Sequence, residues 1–175
     1  DSIVLKTDSY YRDNILIKFL SIFVIDIYDR QISIKKKDIH KTLSSLYNKE
    51  KIVSFSDYDF NKKKSSLSKI RINYTGKKQF LIIEGIFSHR LDLNYQETIN
   101  IVCDEKKEIC FKRRLNRDQI ERGRNKREVN KKFNKSWHLF YKNILNHLNN
   151  KVVKINPLEI MSYKKLVCIL KRIKK

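Results

Sequence analysis

Six of the eleven arginines in this 175-residue chain, Arg113, Arg114, Arg117, Arg122, Arg124 and Arg127, fall within fifteen residues. A planar guanidinium grips phosphate or carboxylate bidentately, so a run of arginines is a more specific signal than the same number of lysines. Arg113 and Arg117 stand four apart and Arg114 and Arg117 three apart, spacings that put two or three guanidiniums on one helical face. Gly123, between Arg122 and Arg124, is expected to let those two diverge from the helix. Two acids lie far upstream, each just past a short apolar segment: Asp8 after Ile3-Val4-Leu5, and Glu84 after Phe80-Leu81-Ile82-Ile83. Phosphoryl transfer needs a base on the acceptor hydroxyl, a carboxylate near Mg2+ and cations around the moving phosphate. All three kinds of residue are here. The plainer alternative is a solvated helix laced by Glu108–Lys112, Arg114–Asp118 and Asp118–Arg122 pairs.

The elements that must position these groups follow from apolar spacing. Ile3–Leu5 reads as a short buried strand. Ser33 is placed to cap a helix whose apolar face is Ile39, Leu43, Leu46 and Tyr47. A lysine-rich stretch from Asn61 to Lys69 reads as an exposed loop, and Ile70 to Tyr74 alternates weakly before a turn at Thr75-Gly76. Phe80–Ile83 and Ile99–Val102 are continuous apolar runs that suit parallel strands. A basic helix follows from about Glu108 to Glu121, interrupted by Gly123. The next helix is the clearest, with Val129, Phe133, Trp137, Phe140, Ile144 and Leu148 spaced three or four apart. Val152-Val153 makes a last short strand, Asn156-Pro157 turns, and a basic helix closes the chain. Strands alternating with helices predict an α/β fold, a three-layer sandwich with a mostly parallel central sheet. One domain over residues 1–175 is expected, with no internal repeat. In such a sheet ligands gather beyond the carboxyl ends of the strands, where Asp8 and Glu84 fall.

Composition narrows the classes. Hydrophobic residues make up 41% of the chain, which is globular. The net charge of +21 invites a nucleic-acid partner, because clustered Lys and Arg release counterions from phosphates. The lysines are scattered over the whole chain, however, and the aromatics Phe133, Trp137 and Phe140 sit at core-like helical spacing. No specific nucleic acid is therefore expected. The longest apolar run, Ile15 to Ile27, is broken by Lys18 and Asp26 and is too short to span a bilayer. Cys103, Cys110 and Cys168 form no C-x-x-C pair, which fits a reduced cytoplasm and no zinc site.

The segment from Asp104 to Arg124 resembles the lid of uridine kinases, which carries an R-R-x-x-R-D-x-x-E-R-G-R pattern, matched without a gap from Arg113 to Arg124. Three further matches lie upstream in order: Asp8-Ser9-Tyr10-Tyr11 is similar to the family's D-S-[FY]-Y, Tyr58-Asp59-Phe60 to its Y-D-F, and Glu84-Gly85-Ile86 to its E-G-I. Tyr28-Asp29 is similar to the [FY]-D that opens its D-H-P element. The resemblance implies a P-loop kinase type of fold and ATP-dependent phosphorylation of a nucleoside 5′-hydroxyl, uridine or cytidine, with Mg2+. It implies that Asp8 takes the hydroxyl proton, that Tyr11 shapes the pocket, and that Asp29 holds the ribose 2′- and 3′-hydroxyls. Tyr28, Tyr58 and Phe60 would pack around base and ribose, and Glu84 would sit near Mg2+ through its waters. Arg114, Arg117, Arg122 and Arg124 would close over phosphates and acceptor, within a lid spanning 108–127.

The departures are equally specific. A phosphate loop G-x-x-x-x-G-K-[ST] needs two glycines five apart, and the only glycines are Gly76, Gly85 and Gly123. The first strand and the phosphate loop of the family are thus absent from these residues, and the non-methionine Asp1 leads us to expect them upstream. Lys63 stands where the family places a base-contacting histidine, and Lys132 where a glutamine is common. The D-H-P-x-A element becomes Asp29-Arg30-Gln31-Ile32-Ser33. Three readings result: an ATP-dependent nucleoside kinase whose phosphate loop lies elsewhere, an inactive relative with a binding or regulatory role, and a polyanion-binding protein. A cytoplasmic location and no membrane partner are expected, with a homo-oligomer left open.

Overall fold

The computed structural model describes residues 2–24, 26–75, 79–91, 93, 98–145 and 152–174, with the backbone alone for 141–145 and 174. Gly76 of the expected turn and Leu148 of the long helix lie outside the described residues. The chain divides into two compact units, Asp1–Leu91 and Asp92–Lys175.

In the first unit, strand β1 (Ser2–Lys6) leads into a 3-10 turn, Thr7–Tyr10, and helix α1 (Ile15–Phe23). Asn14 caps α1 by accepting the Ile17 N–H at 3.1 Å. Helix α2 spans Lys36–Tyr47 and buries Ile39, Leu43 and Leu46, one face at spacings of four and three. Tyr47, expected on that face, is 51% exposed. Ser33 does not cap α2. It lies in the 3-10 turn Gln31–Ser33, where its hydroxyl donates to the Arg30 carbonyl at 2.6 Å.

Strands β2 (Ile52–Asp59) and β3 (Lys64–Arg71) form an antiparallel hairpin, in register from Ile52 opposite Arg71 to Asp59 opposite Lys64. This corrects the loop expected over Asn61–Lys69. Lys64, Ser66, Ser68 and Lys69 are exposed strand residues, and the strand exists because β2 supplies its hydrogen-bond partners. Strand β4 (Phe80–Glu84) runs parallel to β1, with Leu5 opposite Ile83 and Lys6 opposite Glu84.

In the second unit, β5 (Asn100–Cys103) and β6 (Val152–Ile155) pair in parallel. The Asp104 N–H extends the ladder to the Ile155 carbonyl at 2.8 Å. Helix α3 (Lys107–Arg122) ends at Gly123, whose φ of 59° is the left-handed conformation that glycine adopts without a Cβ penalty. Helix α4 (Lys126–Leu145) packs against α3 through Phe111 and Phe133, whose ring centroids are 5.2 Å apart. Val129 and Phe133 are buried, and Phe133, Trp137 and Phe140 stack along α4 at the expected spacing. Helix α5 (Ile160–Lys174) follows β6.

The fold is mixed α/β, and two of its three strand pairs are parallel. The described strands form three two-stranded sheets, not the single central sheet of an expected three-layer sandwich. Among the described residues no helix is long and apolar enough to cross a membrane.

Candidate functional site

Asp8 sits on the 3-10 turn directly after β1, and Glu84 is the last residue of β4. Because β1 and β4 are parallel and Lys6 faces Glu84 in register, both acids fall at the same carboxyl end of this pair. Gly85 lets the turn after β1 approach the end of β4. Its φ is +124°, and a Cβ there would collide with Thr7 Oγ1 and come within 3.2 Å of Asp8 Oδ1. Thr7 is fully buried, and its hydroxyl has no hydrogen-bond partner among the described residues. Glu84 is half exposed and faces Lys6 across 4.0 Å, a spacing that leaves its carboxylate available to solvent or a hydrated ion.

The turn carrying Asp8 is anchored from below. Tyr10, 1% exposed, donates to Thr42 Oγ1 on α2 at 2.9 Å, and Thr42 donates in turn to the Ser54 carbonyl on β2 at 2.8 Å. Arg12 N–H to the Ser33 carbonyl (2.7 Å) and Lys35 N–H to the Tyr10 carbonyl (2.8 Å) hold the segment beyond the turn in extended form. A buried chain of this kind fixes position because breaking any member strands a polar group away from water.

Tyr11 enters an aromatic cluster with Tyr28, Tyr58 and Phe60, at centroid distances of 5.5, 5.5 and 5.7 Å, all edge-on. Tyr58 and Phe60 touch at 5.1 Å, and the Tyr28 and Tyr58 hydroxyls are 3.5 Å apart. Burial, and then the neighbouring Tyr28, push the Tyr58 phenol well above its usual range. Tyr11 and Tyr58 are the buried members and Phe60 is exposed, so the cluster is rooted in the core and opens outward. Four residues singled out from three separate stretches of sequence therefore meet in one place.

Asp13, which sequence reasoning missed, ties the hairpin to this site. Its Oδ2 accepts the Ser65 N–H at 3.1 Å and its Oδ1 pairs with Lys35 at 3.2 Å. Burial raises its carboxyl, but the Ser65 and Lys35 hydrogen bonds outweigh that and hold it below the usual aspartate range. Lys63 occupies the hairpin turn with a φ of 50°, exposed to solvent. Asp29 lies in the 3-10 turn Ile27–Asp29, with its N–H bonded to the Asp26 carbonyl at 2.9 Å.

The second unit holds the arginines, and here the expected divergence is corrected. Arg122 and Arg124 both turn back onto Asp118, at 3.5 and 2.8 Å. Arg117 donates to Asp118 Oδ1 through Nε and Nη2 at 3.1 and 3.0 Å, and Arg114 approaches Oδ2 at 3.8 Å. Arg113 separates from the group and faces Glu105 at 3.8 Å. The Arg114–Asp118 and Asp118–Arg122 pairs of the plainer alternative do form, but around an Asp118 side chain that is 0% exposed and not solvated. Burial pushes the Asp118 carboxyl up, but the Arg117 hydrogen bond and the charges of Arg122 and Arg124 outweigh it and hold the group low. Lys132 is a half-buried residue of α4. The sequence marks Asp118 as a partner for Arg114 and Arg122 and as the D of the R-R-x-x-R-D pattern, but not its burial.

Among the described residues no three His, Cys, Asp or Glu side chains converge as a metal cage. Mg2+ does not require one, because it keeps several waters and binds through one or two carboxylates plus substrate phosphates. Asp8 and Glu84 at one strand end fit that donor set, and the arginine cluster fits an anion.

A model of the phosphoribulokinase / uridine kinase family matches residues 28–160. The match covers most of the chain, including the arginine segment, and stops short of Asp8 and Tyr11 at its amino-terminal side. No curated protein matches the chain. The chain belongs to the phosphoribulokinase / uridine kinase family, whose kinases work on ATP with Mg2+.

Proposed function

We propose that this chain carries the acceptor pocket and the phosphate-gripping segment of a uridine-kinase-like phosphotransferase, acting on a pyrimidine nucleoside, uridine or cytidine, in the cytoplasm. Asp8 takes the proton of the 5′-hydroxyl, and Asp29 accepts from the vicinal ribose hydroxyls. Tyr11, Tyr28, Tyr58 and Phe60 wall the ribose and base, with Lys63 at the open hairpin turn and Lys132 as a further substrate contact. Glu84 holds a Mg2+ water. Arg114, Arg117, Arg122 and Arg124 neutralise phosphate charge, which Mg2+ when bound also does. The observation that carries the proposal is the meeting of Tyr11, Tyr28, Tyr58 and Phe60 in one outward-opening cluster, three residues along the chain from Asp8.

The test is nucleoside binding by the 175-residue chain, measured calorimetrically. Uridine or cytidine should bind, and both the 2′-deoxy analogue and Asp29→Asn should weaken binding by about ten-fold or more, the value of a charge-assisted hydrogen bond. A folded chain that binds neither nucleoside overturns the proposal.

A further inference from the structure

Among the described residues, Asp118 stands out as the one carboxylate that is completely buried and touched by four guanidiniums. It also organises the backbone around itself. The N–H groups of Gly123 and Arg124 both reach its carbonyl oxygen, so the chain leaving α3 is folded back and Arg124 is delivered to the carboxylate. Four guanidiniums thus share this one carboxylate. Burial, and after it the neighbouring arginines, depress the Arg122 guanidinium despite the attraction of Asp118. Arg114 Nε is buried with no hydrogen-bond partner among the described residues. The cluster is therefore under-compensated, and a further anion would relieve it.

The fork geometry says how. A guanidinium has five N–H donors on more than one edge. Arg117 directs Nε and Nη2 at Asp118, which leaves Nη1 on the far side of the fork, in a side chain 47% exposed. Arg124 directs Nη1 inward and carries Nη2 and Nε besides. Arg117 and Arg124 can each hold Asp118 on one edge and a second anion on another. Long side chains that must be immobilised on binding cost affinity, whereas guanidiniums already fixed do not.

We propose that Asp118 is a positioning residue: its carboxylate holds Arg114, Arg117, Arg122 and Arg124 as a preformed receptor for a di- or triphosphate and keeps its contacts when the anion binds. This role rests on the arginine segment being a phosphate grip, and it does not depend on the identity of the acceptor.

Electrostatics and positioning make opposite predictions for Asp118→Asn. Removing a negative charge from a polyanion site should tighten binding if charge alone matters. Removing the anchor should loosen it. With inorganic tripolyphosphate as the probe and the whole chain as the protein, Asp118→Asn is expected to bind at least about ten-fold more weakly, equivalent to one charge-assisted hydrogen bond. Asp118→Glu, which keeps the charge, should recover part of the loss. Equal or tighter binding by a folded Asp118→Asn overturns the positioning role and leaves the grip intact. Failure of the unaltered chain to bind tripolyphosphate overturns the grip itself. Should Asp118→Asn not fold, the unaltered chain decides the matter by NMR. The Arg117 Nε–H should be protected from exchange and stay so when tripolyphosphate is added, and its release from protection on binding would overturn the proposal.

Discussion

Thr7 Oγ1 occupies the space that a side chain on Gly85 would need, so the turn after β1 and the end of β4 close against each other only because residue 85 has no Cβ. The carboxylate of Asp8 shares this contact, with Oδ1 3.2 Å from the same position. The fit between two strand ends thus sets where the proposed base stands.

Gly85→Ala should therefore be costly twice over, through the collision with Thr7 and through the φ of +124°, which L-residues rarely adopt. We expect a loss of about 1–3 kcal/mol in stability, the range for a residue forced into a strained backbone region. Paired with Thr7→Ala, the loss should shrink, because the colliding Oγ1 is removed. Urea unfolding of the single and double variants measures this. A Gly85→Ala protein of unchanged midpoint would show that the strand ends can separate freely.

The parts of this arrangement that could be read from sequence are those whose cause is local. Phe80–Ile83 is a continuous apolar run, and it is a strand. Val129, Phe133 and Trp137 keep helical spacing, and they face the core of the second unit. The β2–β3 hairpin was not legible because Lys62-Lys63-Lys64 and Ser65-Ser66 have the composition of a loop. The strand state from Lys64 onward comes from pairing with β2, a partner that composition does not reveal. The burial of Asp118 was illegible for a related reason. An aspartate inside a charged helix is ordinarily solvated, and its burial depends on a chain reversal at Gly123 that brings Arg124 back from outside the helix. Tyr11, Tyr28, Tyr58 and Phe60 could be named separately by resemblance, but their meeting is a tertiary fact.

Alkaline conditions should destabilise the first unit. Burial raises the Tyr10 phenol above 10.0, against the opposing pull of the hydrogen bonds with Thr42 and Ser56, and burial raises Tyr58 and Tyr74 as well. In the unfolded chain these phenols ionise near the ordinary value, so above it the unfolded state has released protons that the folded state still holds. Stability is full below about pH 10 and falls as pH rises past it, by up to about 1.4 kcal/mol per pH unit for each well-buried tyrosine. Tyr10→Phe should start lower, having lost a buried hydrogen bond worth about 1 kcal/mol, and should show a shallower alkaline decline. Urea midpoints compared between about pH 9 and about pH 11 test this, and parallel declines in the two proteins would refute a buried Tyr10.

Acid should act on the second unit through Asp118. Its folded carboxyl is held below the ordinary 3.8, so its contribution is complete above that value and is lost as pH falls below it. The chain has a single tryptophan, Trp137, in contact with Phe133 and Phe140 on α4, so tryptophan fluorescence reports on this unit. We expect an acid transition below about pH 4, with a limiting slope of about 1.4 kcal/mol per pH unit for the one group. Asp118→Asn should lower stability at neutral pH and flatten the acid limb. The neutral loss should be smaller than the roughly 3–5 kcal/mol for a fully buried broken pair, because its arginines reach water. An unchanged acid transition in the variant would mean that Asp118 does not carry it.

The last prediction concerns catalysis by these residues alone. Phosphoryl transfer depends almost wholly on positioning and electrostatic stabilisation, and in P-loop kinases the donor phosphates are cradled by backbone N–H groups, a lysine and a Mg2+-binding hydroxyl. Gly76, Gly85 and Gly123 are the only glycines, and none begins or ends a G-x-x-x-x-G-K-[ST] pattern. Asp8 and Glu84 offer a base and a carboxylate for hydrated Mg2+, and the Asp118 cluster offers positive charge, but none of them orients the donor's β- and γ-phosphates for in-line attack. The 175-residue chain should therefore produce no uridine or cytidine monophosphate from ATP and Mg2+, while still binding nucleoside and, at the arginines, tripolyphosphate. Steady turnover that is abolished by Asp8→Asn would show that the donor is positioned by groups other than a glycine-rich loop. Turnover that survives Asp8→Asn would remove Asp8 from the role of base, since an amide cannot accept the hydroxyl proton.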